Sequence, residues 1–278
     1  MRGGVISAGD SMGIEYVIHY DCEPKRALTL EGLITRLKGR DRAAKIIELY
    51  RDQGDSRSPS HMGFEMMRRL PDGSAETEVM VVQELLDAAA ELDAWEPYCV
   101  GCPANRTAMP FGCAGTINYP ISKVAERWLL DQLPGSDHPL VFLLLQKALG
   151  EMGYTGESAR TLRAQNGMFM ESPVPLERDL DAMRITGDQV FELLFLSGPI
   201  RPAHGSLLLQ FSGGISPDLD ANAMMQLAVP PSQAWIDEHV PFLHMPRASD
   251  DASITSLKEF FRALHIAFRL GVPVLLDI

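Results

Sequence analysis

Only four cysteines occur in the 278 residues, and where they stand limits how the chain can fold. Three of them, Cys99, Cys102 and Cys113, fall in one stretch, YCVGCPANRTAMPFGCAGTINYP (98–120). Cys99 and Cys102 have Cys-x-x-Cys spacing, in which the intervening turn brings both sulfurs to one side. Cys113 follows a loop containing Pro103, Pro110 and Gly112, which lets the chain turn back. Cys22, in the turn-like DCEP, is the fourth. Four thiolates about 2.3 Å from a zinc ion, in a tetrahedron, make a complete structural site. The expected metal ligands are therefore Cys22, Cys99, Cys102 and Cys113, tying the N-terminal region to the middle of the chain.

The same set suits a [4Fe–4S] cluster, which also takes four cysteines. Val100, Ala104, Met109, Pro110 and Phe111 would then shield the cluster from water, and Gly101, Gly112 and Gly115 would allow close backbone approach. Two other readings compete. Cys99 and Cys102 could be a redox pair, although no βαβ pattern precedes them. All four could instead be buried apolar residues, as free cysteines commonly are. Asn105 is expected to shape a turn, and Arg106 to point into water rather than bind an anion.

The net charge of −12 and pI near 5.0 argue against a generic nucleic-acid binder or a binder of anionic membranes. The basic run RLKGRDRAAKIIELYR (36–51) reads as a solvated helix face. MRGGVISAGDSMG lacks the pattern of a signal peptide or membrane anchor, and Met12 is an alternative start. PLVFLLLQKALG (139–150) is too short to span a bilayer. The expected location is the cytoplasm, where clustered cysteines serve as metal ligands or redox groups more often than as disulfides.

The expected fold is α+β, predominantly helical with a few short strands. Residues 1–13 read as a loose leader, 14–135 as a cysteine-bearing α+β segment, and 136–278 as a mainly helical segment divided from it near LPGSDHP (133–139). Periodicity predicts a strand over 14–22 and helices over 29–38 and 41–52. Further helices are expected over 76–95, 120–133, 137–151, 187–197, 218–228 and 253–270, with Pro97 ending the first of these and Pro120 in the first turn of the next. A strand is expected at NGMFME and another at GVPVLLDI, which closes the chain.

Other motifs carry little. VISAGDSMG (5–13) matches the first block of GDSL-type hydrolases, with Ser11 in the nucleophile position, but no Asp-x-x-His occurs to activate it. His239 and His244 are separated by Pro241, so they are no helical zinc motif. His265 is expected to be a satisfied, partly buried residue, and His19 and His61 are substitute ligands if a cysteine is not used. Asp218–Asp220 and Asp250–Asp251 read as helix caps. The composite expectation is a cytoplasmic binding or scaffold module with a four-cysteine structural zinc site and a protein or small-molecule partner. The alternative is an iron–sulfur redox protein or enzyme.

Overall fold

The computed structural model describes residues 6–7, 13–69, 75–165, 167–180, 183–195, 198–228 and 231–277. It is α+β, with helix outweighing short strands. The chain divides into two compact units, Met1–Ser11 with Asp21–Cys102, and Met12–Tyr20 with Pro103–Ile278. Strand β1 (Ile6–Ser7) thus belongs to the first unit and β2 (Gly13–Ile18) to the second.

In the first unit, α1 (Glu23–Leu28) leads into α2 (Leu30–Asp52), one 23-residue helix where two were expected. The Thr29 hydroxyl caps α2 by accepting from Gly32 N at 3.1 Å. Gly39, which lies between the two expected helices, is carried inside α2 and lies against Leu85. Strands β3 (Gly63–Arg69) and β4 (Ala75–Val81) form an antiparallel pair, with Phe64 opposite Met80, and β1 runs parallel to β3. The sequence predicts helix for 76–81, but the β-branched Thr77, Val79 and Val81 suit a strand, and pairing with β3 decides in its favour. Helix α3 (Val82–Ala89) and a 3₁₀ helix (Ala90–Cys99) follow, and Pro97 lies within the latter.

The core of this unit joins Ala43, Ile46 and Tyr50 of α2 to Met62, Phe64 and Val82. The Tyr50 hydroxyl donates to Gly63 O at 2.6 Å, so the ring is buried with its polar end satisfied. The basic run lies along α2. Two of its arginines meet acids of the 3₁₀ helix, Arg36 with Glu91 at 2.6 Å and Arg40 with Glu96 at 3.0 Å.

The second unit is built on an antiparallel sheet ordered β5 (Ala114–Asn118), β2, β8 (Val274–Asp277). Ile14 faces Ile117 across one ladder, and Val17 faces Leu275 across the other. The sheet packs on α11 (Ala252–Leu270), whose stripe Ile254, Leu257, Phe261, Leu264 and Phe268, recurring at helical spacing, is buried. Asp251 caps α11 by accepting from Ile254 N at 2.8 Å, and Gly271 ends it at φ +67°, a backbone that favours glycine. Tyr16 meets Phe260 edge-on with centroids 5.2 Å apart, and Phe195 meets the same ring at 5.2 Å.

Around this centre stand α4 (Lys123–Gln132), α5 (Pro139–Glu151), α6 (Glu157–Arg163), α7 (Gly187–Phe195), α8 (Pro202–Phe211), α9 (Ala221–Ala228) and α10 (Gln233–His239). Strands β6 (Glu177–Leu180) and β7 (Met183–Thr186) form a separate hairpin. Pro120 is not in the first turn of α4. It follows a cis peptide bond, and Ser122 caps the helix by accepting from Ala125 N at 3.0 Å. Of Val124 and Leu129, both apolar and on this helix, Val124 is 61% exposed, whereas Leu129 is buried together with Ala125. Of NGMFME, Asn166 lies outside the described residues, and 167–171 contribute a single bridge, Ile121 with Met170, rather than a strand. Helices α8 and α10 had no clear sequence signal.

Candidate functional site

Cys99 is the last residue of the 3₁₀ helix, and the backbone then reverses. Val100 takes φ −69°, ψ 122°, Gly101 takes φ +71°, and Cys102 N donates to Cys99 O at 3.3 Å. These are the angles of a type II β-turn, whose third position requires positive φ and hence glycine. The Cys-x-x-Cys spacing is therefore realised as a closed turn, with Cys99 buried and Cys102 half-buried. Cys22, half-buried, is the N-cap of α1, and its carbonyl accepts from Arg26 N at 3.1 Å.

These three cysteines belong to the first unit. Cys113, buried, belongs to the second, where its carbonyl accepts from Ile18 N at 3.0 Å at the end of the β2–β5 ladder. All four are thiols rather than disulfide sulfurs. Among the described residues, no group of three or more His, Cys, Asp or Glu is arranged to hold a metal ion. The structure thus brings Cys99 and Cys102 together in one turn, with Cys22 elsewhere in the same unit and Cys113 in the other. Sheet pairing fixes Cys113, whereas a local turn fixes the Cys-x-x-Cys pair.

The loop after Cys102 departs from its sequence reading at Arg106. Its side chain is only 9% exposed, not in water. Its Nη1 donates to the carbonyls of Gly112 and Ala114, both at 2.5 Å, and Nε donates to Glu259 of α11 at 3.1 Å. The guanidinium also lies over the Tyr16 ring, 5.3 Å from its centroid. Burial pushes the Tyr16 phenol up to about 12, with Arg106 partly opposing the rise. Arg106 is thus a clamp holding the loop to sheet and helix, and a planar fork of donors suits it.

Asn105 shapes the turn as expected, its Oδ1 accepting from Thr107 N at 3.2 Å and its Nδ2 donating to Met109 O at 3.0 Å. Gly112 leaves room for Asn105 and Thr107, and Gly115 for Tyr16 and Arg106, so both glycines serve protein packing. Of the apolar residues expected around a cluster, Ala104 and Phe111 are buried. Val100 is 85% exposed and Met109 67% exposed.

Sequence reasoning missed a buried charge cluster in the second unit. Arg163 donates from Nε to Asp188 at 2.7 Å, from Nη2 to Glu126 at 2.6 Å, and from Nη1 to Ser172 O at 2.7 Å. Glu126 also accepts from Leu176 N at 3.0 Å. Glu192 accepts from Gly156 N at 2.5 Å. Asp188 Oδ2 is buried without a hydrogen-bond partner. A hollow lined by Ile121, Glu126, Leu129, Met170, Gly187, Val190 and Phe191 has room for about one water molecule, too little for a substrate. The partners lie on α4, α6 and α7, at separations that no spacing rule covers.

His265 bonds Val240 O at 2.8 Å and His61 bonds Ser58 at 2.9 Å, while His19 is exposed. Asp220 and Asp251 are helix caps, as expected. Asp250 pairs with the buried Lys258 at 2.7 Å. Ser11 lies outside the described residues. Among the described residues, no helix is long and apolar enough to cross a membrane. No family model, curated protein or solved structure matches this chain.

Proposed function

We propose that the chain is a metal-binding scaffold module in which the thiolates of Cys22, Cys99, Cys102 and Cys113 hold one zinc ion. The observation that carries this reading is the type II turn at Cys99–Cys102. Its ends lie within about 7 Å at Cα, near enough for both sulfurs to share one ion. Cys22 supports it from the same unit: it opens α1, which packs on the 3₁₀ helix ending in Cys99. Cys113 is the fourth ligand on the strength of its sequence position. Zinc is favoured over an iron–sulfur cluster because Val100 and Met109, expected to shield a cluster, stand in water.

A closed four-thiolate site has no open position for substrate, so the zinc ion is structural and the chain serves as a binding or scaffold module. Its partner is a protein or a small molecule. The charge of −12 disfavours nucleic acid, and the cytoplasm is the location proposed because clustered cysteines serve there as metal ligands more often than as disulfides. The test is metal analysis with an absorption spectrum on protein purified without oxygen or added chelator. One zinc per chain, a colourless solution, and loss of both metal and thermal stability in Cys102→Ser are expected. Cys113→Ser tests the fourth ligand separately. Metal-free protein whose Cys102→Ser variant melts unchanged overturns the reading, and a brown protein moves the site to iron–sulfur.

A further inference from the structure

We propose that Cys99 and Cys102 form a reversible disulfide, which makes their turn a site of oxidative modification by peroxide. A disulfide needs Cα atoms about 4.4–6.8 Å apart, and the ends of a β-turn lie within about 7 Å. The turn is closed by the Cys102 N to Cys99 O bond at 3.3 Å, so the two residues are held near bridging range in the reduced protein. Gly101 at φ +71° sets that reversal, and Pro103 resists its conversion to helix. Neither Cys22 nor Cys113 stands in such a turn with another cysteine.

Exposure divides the roles. Val100, at the apex, is 85% exposed, Gly101 is exposed and Cys102 is half-buried, so a small oxidant reaches this side of the turn. Cys99 is buried at 8% exposure. The Cys102 thiolate attacks one oxygen of hydrogen peroxide, giving a sulfenic acid and releasing hydroxide. The Cys99 thiolate then attacks that sulfur, forming the S–S bond and expelling a second hydroxide. Two electrons pass from the sulfurs to peroxide, and the two thiol protons end in water. Two equivalents of a small thiol return the electrons and leave as their own disulfide. Where the proposed metal reading holds, on which this one consequence rests, oxidation removes two ligands and releases the ion.

The experiment treats the reduced full-length chain with hydrogen peroxide, with and without prior removal of metal by chelator, and maps the tryptic peptides. Trypsin cuts after Arg69 and Arg106, leaving Cys99 and Cys102 on one peptide, 70–106, with Cys22 and Cys113 on two others. The expected result is loss of two hydrogens from peptide 70–106, restored by dithiothreitol. It is absent in Cys102→Ser and in Cys99→Ser, and retained in Cys22→Ser and Cys113→Ser. Three results overturn the proposal: oxygen gained at Cys99 or Cys102, told apart by fragmentation from oxygen on Met80 of the same peptide, a cross-link from this peptide to another cysteine peptide, or no change at Cys99 and Cys102 at peroxide levels that oxidise free glutathione. Metal content of the untreated protein is read separately. A disulfide in protein that never held metal sinks only the zinc reading, and bound metal with no disulfide after chelation sinks only this one.

Discussion

Replacing Arg163 by Met removes the cation from a buried cluster that holds Glu126 at 4% exposure and Asp188 at 0%. The guanidinium makes two short charged bonds, 2.7 Å to Asp188 and 2.6 Å to Glu126, and another to Ser172 O at 2.7 Å. Charge-assisted bonds contribute about 1.5–3 kcal/mol each, and removing one member of a buried ion pair costs about 3–5 kcal/mol because the other charge is stranded. Here two carboxylates are stranded, and Asp188 Oδ2 already lacks a partner, so the upper part of that range is expected. A loss of about 4–5 kcal/mol is a large share of the stability of an ordinary domain. Arg163→Lys keeps the charge but not the fork that serves three acceptors, so it should lose about half as much. The assay is urea unfolding followed by tryptophan fluorescence in a Trp95→Phe background, where Trp128 and Trp235 report the second unit alone. A loss below about 1 kcal/mol for Arg163→Met would show that the carboxylates are protonated or hydrated, and would refute the ion-pair account.

The other expectations concern the same unit. Burial holds the His244 imidazole down to about 4, with its Nε2–H donating to Ser212 O at 2.7 Å and with Lys258 and Arg247 disfavouring the cation. The unfolded chain therefore takes the proton first as pH falls below 6.5. Stability should drop by on the order of 3 kcal/mol between pH 6.5 and 4, and His265 and His204 shift in the same direction. A urea midpoint that stays flat over that window contradicts it, and His244→Gln should flatten the slope. Gly187→Ala would drive its Cβ into the Glu126 carboxylate, for a loss of about 1–3 kcal/mol seen as a lower melting temperature. Arg106→Met should release the loop and cost about 2–4 kcal/mol, read as faster amide exchange over residues 104–113 with no change in the first unit.

What could be read from the sequence follows the range of the interactions involved. Helix α11 was legible because Ile254, Leu257, Phe261, Leu264 and Phe268 repeat along one element, and its cap and terminator stand beside it as Asp251 and Gly271. The Cys99–Cys102 turn was legible for the same reason: Gly101 and a four-residue span settle it without help from the rest of the chain. Residues 76–81 failed because they continue into a helical pattern while their β-branched Thr77, Val79 and Val81 equally suit a strand, and the choice is made by β3, a partner that local pattern does not name. Arg106 and Arg163 failed more completely. Each looks like a surface cation until Glu259, Glu126 and Asp188 arrive from distant helices to make burial tolerable. The four cysteines divide along the same line. Two are joined by a turn that the sequence specifies outright, whereas grouping them with Cys22 and Cys113 depends on long-range placement, which only bound metal would make energetically compulsory. A thiol pair that is close by local geometry alone is ready for chemistry whether or not an ion is bound, and this is why disulfide formation and metal content are separable measurements on this chain.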